Sequence, residues 1–158
     1  MNQSQILIEM VIKSWNQQIS RAEKYFDAKS DEALEQQIAP NKNRLIYLLG
    51  HLVASNDSMI TLFGIGERLY PQYEEIFSRN PDKAFPTPPV AELRKAWKDV
   101  HEALSRSFNS MTVDQWLSKH TAMTDEDLAK EPTRNKLSVM ISRTNHVAYH
   151  LGQIILVR

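Results

Sequence analysis

Two histidines four residues apart, His146 and His150, stand in the stretch Thr144-Asn145-His146-Val147-Ala148-Tyr149-His150-Leu151-Gly152-Gln153. In a helix, residues i and i+4 lie one above the other on the same face. Two imidazoles held in this way can share one metal ion, which is why H-x-x-x-H is a ligand pattern on helices. The pair alone is weak evidence, because two of five histidines can fall at this spacing by chance. A third imidazole would change the chemistry. Three protein ligands hold a catalytic ion and leave a position for water or substrate, whereas closed structural sites use four. Water bound there would lose a proton at a pKa that falls to about 7 on zinc. His51 is the candidate third ligand, although nearly a hundred positions separate it from the pair.

These residues need long helices to position them, and the apolar spacing predicts four. Ile8, Val11 or Ile12, Trp15, Ile19, Ala22 and Phe26 mark the first, from about Ser4 to Lys29. Ala33, Leu34 and Ile38 fit a short helical turn after it. The second starts near Pro40-Asn41-Lys42-Asn43, with an asparagine expected as N-cap, and carries Leu45, Leu48, Leu49, Leu52, Met59 and Phe63. Gly64 and Gly66 close it. Its stripe is widened by Ile46, Val53 and Ile60, and that surplus predicts a second apolar contact, read here as a homodimer interface.

The connection from Ile65 to Pro89 is long, proline-rich and aromatic. It reads as a crossover strapped across one end of a bundle, with a lid as the alternative. Val90, Leu93, Trp97, Val100, Leu104 and Phe108 define the third long helix, from about Pro89 to Ser110. Two short helical pieces follow, at Thr112–Trp116 and from Thr124. The last helix is expected from about Thr133, with Leu137, Met140, Ile141, Thr144, Val147, Ala148, Leu151, Ile154 and Ile155 on its apolar face. Four periodic segments without a convincing strand indicate an all-α four-helix bundle forming one domain over residues 1–158.

At roughly 100° per residue, His146 and His150 lie more than about 90° from the centre of their helix's core stripe, beside Arg143 and Gln153. His51 is displaced in the same way and shares its face with Arg44, Ser55 and Ser58. That placement fits a groove between two helices, and it also fits plain surface histidines. His101 and His120 read as ordinary surface residues. Arg44, Ser55, Arg143 and Gln153 are the neighbours that helix geometry nominates for a substrate or cofactor.

Composition excludes several classes. With Lys plus Arg and Asp plus Glu both at 19, the chain has no electrostatic footprint for nucleic acid. No apolar run is expected to be long enough to span a bilayer, and the first residues lack the pattern of a signal peptide. The absence of cysteine fits a reducing cytoplasm. The chain is long enough to bury about two-thirds of its unfolded surface in a core.

Asn43-Arg44-Leu45-Ile46-Tyr47-Leu48-Leu49-Gly50-His51-Leu52 and His146-Val147-Ala148-Tyr149-His150-Leu151-Gly152-Gln153-Ile154 resemble the DinB-like family. The resemblance covers the order of the helices, the histidine in the second, and the pair in the fourth followed by Gly-Gln. It implies an up-down-down-up bundle, often dimeric, with a divalent metal on His51, His146 and His150: zinc, nickel or another first-row metal. Some relatives use that metal to activate a low-molecular-weight thiol, such as bacillithiol or mycothiol; others are presumed hydrolases. The resulting expectation is a metal-dependent enzyme acting on a small electrophilic substrate, with thiol transfer favoured over hydrolysis. The alternative is a non-catalytic metal-binding or stress-related interaction protein on the same scaffold.

Overall fold

The computed structural model describes residues 2–157. Four long helices carry it: α1 (Gln3–Asp27), α3 (Leu45–Leu62), α4 (Val90–Ser110) and α7 (Lys136–Ile154). Three short ones, α2 (Asp31–Leu34), α5 (Val113–Leu117) and α6 (Asp125–Lys130), lie in the connections, and a π-helical turn spans Glu75–Arg79. No strand occurs among the described residues; Gln37 and Arg44 form one isolated bridge. The fold is the all-α bundle expected from the periodicity.

Each long helix contacts two others, α1 against α7 and α4, and α3 against α4 and α7. Ile8, Trp15, Ala22 and Phe26 of α1 are buried, as their three-and-four spacing requires. On α4 the buried row is Val90, Leu93, Ala96, Trp97, Val100, Leu104 and Phe108. On α7 it is Met140, Thr144, Val147, Leu151 and Ile154. Ile141 and Ile155, expected on that apolar face, are 44% and 52% exposed and lie outside the core.

Helix α3 is the central element. Ile46, Val53 and Ile60 are at most 4% exposed within the single chain, so its apolar surplus is satisfied by the bundle and the strap. The inference of a homodimer face from those three residues is therefore corrected. The expectation about bilayer-length runs needs the same treatment. The window Leu45–Leu62 is long and apolar enough to cross a membrane, with a mean hydropathy of 1.2, but 78% of it is buried inside the molecule. That combination belongs to the core helix of a bundle.

Two details of α3 differ from the sequence reading or extend it. Its N-cap is Arg44, not an asparagine; Asn41 instead takes a left-handed turn conformation at φ 61°. Arg44 has no side chain able to accept a bond from the first turn, and its own backbone N–H donates to Asp82 Oδ2 at 2.8 Å. At the other end Gly64 (φ 68°) builds a Schellman closure, with Gly64 N–H donating to Thr61 O at 3.0 Å and Ile65 N–H to Ile60 O at 3.1 Å. Helix α7 begins three residues later than expected, where Asn135 and Ser138 form a reciprocal cap.

The long connection is pinned to α3 from both sides. Buried Asp57 accepts the backbone N–H groups of Leu69 (2.9 Å) and Tyr70 (3.0 Å). Further on, Phe77 of the π-helical turn is fully buried against Gly50. A Cβ on Gly50 would come within 2.4–2.6 Å of the Phe77 ring, so only glycine admits this approach.

Candidate metal centre

His51 projects from α3, and His146 and His150 from α7, into one cluster. His51 Nε2 and His150 Nε2 each lie 3.1 Å from His146 Nε2, and the three ligand atoms all fall within 4.8 Å of one another. Four zinc–nitrogen bonds of about 2.0–2.1 Å in a tetrahedron put ligand nitrogens about 3.3 Å apart. Two of the three separations are within a few tenths of an ångström of that value.

The outer nitrogens explain why the inner ones converge. His51 Nδ1–H donates to the Phe77 carbonyl at 2.8 Å, and His150 Nδ1–H donates to Gln153 Oε1 at 2.8 Å. Both bonds leave the Nε2 lone pair pointing inward, the arrangement by which neighbours of metal-bound histidines set tautomer and ring orientation. Gln153 Nε2 in turn donates to Tyr149 Oη at 3.2 Å, which fixes the amide with its oxygen towards His150. Tyr47 stacks parallel to His51, 6.4 Å between ring centres, and is anchored by its hydroxyl donating to Asn80 O at 2.7 Å.

Three Nε2 atoms crowded together are electrostatically awkward without a cation. At most one proton can be shared along each short contact, and His146 Nδ1 is buried with no partner. Burial, then the neighbouring His150, His51 and Arg143 charges, push the His146 pKa down to about 4. Burial also lowers His51 and His150. The cluster is thus neutral near pH 7, with lone pairs available. This donor set fits a first-row divalent ion.

One side is open. A cavity of about 300 Å³ is lined by His51 and His146 together with Ser55, Ser58, Arg68, Glu74 and Arg143. Arg143, half-buried one turn before His146, donates from Nη2 to Ser58 Oγ at 3.2 Å. Glu74, from the long connection, is paired with both Arg68 and Arg79, and those bonds hold its carboxyl below the usual range. A larger groove of about 740 Å³ lies between α1, α4 and α5, but no histidine lines it.

The sequence-nominated neighbours divide. Ser55 and Arg143 line the cavity, and Gln153 supports His150 from behind. Arg44 is placed elsewhere: its guanidinium pairs with Asp82 at 2.7 Å and Glu35 at 2.5 Å, which locks the strap to the start of α3. Sequence reasoning missed the contributions of the long connection, namely the Phe77 carbonyl, Arg68 and Glu74. Their only signal was the length of that segment. Ser58, placed by sequence on the face of His51 but not nominated for the site, also lines the cavity and accepts from Arg143.

His101 and His120 are not ordinary surface residues. His101 sits between Trp97 (4.1 Å between ring centres) and Trp15 (6.0 Å), donates from Nδ1 to Trp97 O at 2.7 Å, and accepts at Nε2 from Asn56 Nδ2 at 2.9 Å. His120 is half-buried, its Nδ1 enclosed without a partner.

No curated protein matches the chain. A family model does, that of the DinB superfamily, over residues 14–154. The match takes in α3, α4 and α7 whole, the second half of α1, and every residue of the histidine cluster. Membership of that family and a histidine triad that could hold an ion together fit a metal-binding protein. By this match the chain belongs to the DinB superfamily.

Proposed function

We propose that this protein is a metal-dependent enzyme that activates a thiol for transfer to a small electrophile, with His51, His146 and His150 as the ligands. The observation that carries the reading is the convergence of three neutral imidazole nitrogens beside an open, polar cavity. A bound divalent ion would supply Lewis acidity, lowering the pKa of a thiol or water at its open position.

The protein's own groups then have definable tasks. Phe77 O and Gln153 hold the His51 and His150 rings in the tautomer that presents Nε2. Glu74 is a poor general base, because two arginines stabilise its anion. Hydrolysis needs a group to take a proton from water more than thiol transfer does, so the state of Glu74 favours transfer. The same observation supports a second reading, a metal-binding protein without catalysis. A homodimer belongs to the proposal on the family resemblance, through surfaces other than Ile46, Val53 and Ile60.

Elemental analysis of the purified protein, followed by turnover assays with a panel of thiols and electrophiles, tests the reading. One equivalent of a first-row metal and thiol-dependent turnover are expected. Metal without turnover selects the non-catalytic reading, and absence of metal uptake removes both.

A further inference from the structure

We infer that the cavity beside the histidine cluster contains a subsite for a carboxylate, formed by Arg143 with Ser58 at its base. The molecule that reaches the metal would accordingly carry a carboxylate a few bonds from its donor atom. This inference rests on the metal-site reading and specifies the class of molecule that site accepts.

Charge within the cavity leads to it. Of the two arginines that line it, Arg68 is paired with Glu74, a carboxylate it shares with Arg79. Arg143 has no carboxylate partner among the described residues; its one protein hydrogen bond is to the neutral Ser58 hydroxyl. Ser58 donates its own proton to Ser55 O at 2.6 Å, so its oxygen is committed to accepting from Arg143. A half-buried guanidinium with five N–H donors and one bond retains most of its capacity. None of its remaining donors is sealed from solvent, and the residue lines the cavity.

Leaving a cation partly desolvated and unpaired is costly, and structural arginines are normally matched, as Arg44 is by Asp82 and Glu35. Arg143 departs from that pattern at the wall of the site. Its planar fork suits a carboxylate, which it can hold through two parallel bonds. A single free guanidinium fork offers two parallel donors, which the two coplanar oxygens of one carboxylate satisfy, while the other arginine on the wall, Arg68, is already held by Glu74. Position fits as well, since Arg143 and His146 are three residues apart on one helix face, where side chains are neighbours at about 5–6 Å. A cavity of about 300 Å³ is at the small end of ligand sites.

The test is titration of cobalt(II)-loaded protein with 3-mercaptopropionate and with 2-mercaptoethanol, followed by the visible absorption of the cobalt. The wild type should bind the carboxylate thiol at least about tenfold more tightly than the hydroxyl thiol, a difference of about 1.4 kcal/mol. Arg143→Met should abolish that preference while its response to 2-mercaptoethanol persists. Equal affinities in the wild type, or a preference that survives in the variant, would overturn the subsite. If Arg143→Met does not fold by circular dichroism, Arg143→Gln, which can still bond Ser58, is read by the same two outcomes. If the protein takes up no cobalt, or neither thiol changes its spectrum, the proposed function fails. The subsite is then decided on metal-free protein by thermal unfolding in succinate against chloride of equal ionic strength. A rise in Tm that the wild type shows and the Arg143 variant lacks upholds it, and an equal response in both overturns it.

Discussion

His146 in the metal cluster and His101 between α1, α3 and α4 both have a pKa pushed down to about 4, and burial is the first cause in each. Their ring nitrogens are used in opposite ways. His101 has both satisfied, one donating to a carbonyl and one accepting from an amide, with indole rings packed near it. His146 has Nδ1 without a partner and Nε2 facing two other Nε2 atoms. A depressed histidine pKa therefore identifies a buried imidazole and nothing more. The directions of the lone pairs separate a packing residue from a ligand.

Removing a ligand should break the comparison most sharply. His150→Ala is expected to lower metal affinity by more than about a hundredfold, since loss of a group that merely supports a ligand already costs 10–100-fold. Its metal-free fold should change by less than about 0.5 kcal/mol, as for substitutions away from packed regions. Metal analysis and circular dichroism on one preparation check this. A folded variant with full metal content would remove His150 from the site.

His101→Ala should do the reverse. A cavity beside Trp97 and an unpaired Asn56 amide should cost about 2–4 kcal/mol in urea unfolding, with metal affinity retained. Acid gives the same contrast. Above pH 6.5 His101 is neutral in both folded and unfolded chains. As pH falls from 6.5 towards its native value of about 4, the unfolded chain takes up a proton that the folded one refuses. Stability should then drop by up to roughly 3 kcal/mol, levelling off below pH 4. Comparing wild type with His101→Gln at pH 7.5 and 4.5 isolates that portion.

Gly50→Ala links the long connection to the cluster. The added methyl has no room against Phe77, so the π-helical turn must move and take the His51 acceptor with it. Metal affinity should fall by about 10–100-fold, with a destabilisation of about 1–3 kcal/mol from overpacking. The smallest effect is expected for Gln153→Leu. It removes the support of His150 at the edge of the site and should lower affinity about tenfold without loss of fold. Calorimetric metal titration ranks the two variants, and equal, wild-type affinity in both would show that neither Phe77 nor Gln153 orients a ligand.

The amino-acid sequence by itself determined the four long helices, because a 3.6-residue apolar period is a local property readable from spacing. It also determined that His51, His146 and His150 stand off their core stripes. His101 was equally readable and was misplaced: it lies four residues after Trp97 and three before Leu104, on the α4 stripe itself. The N-cap of α3 could not be read locally, since its acceptor, Asp82, is 38 residues away. Only the tertiary structure decided that α3 and α7 are adjacent, that the surplus apolar residues of α3 are consumed within the chain, and that Arg44 is matched while Arg143 is not. Each of these depends on which helix faces are brought together by a connection whose path is set by long-range contacts. Periodicity specifies which face of a helix is buried, whereas the partner across that face is chosen by packing of the whole bundle.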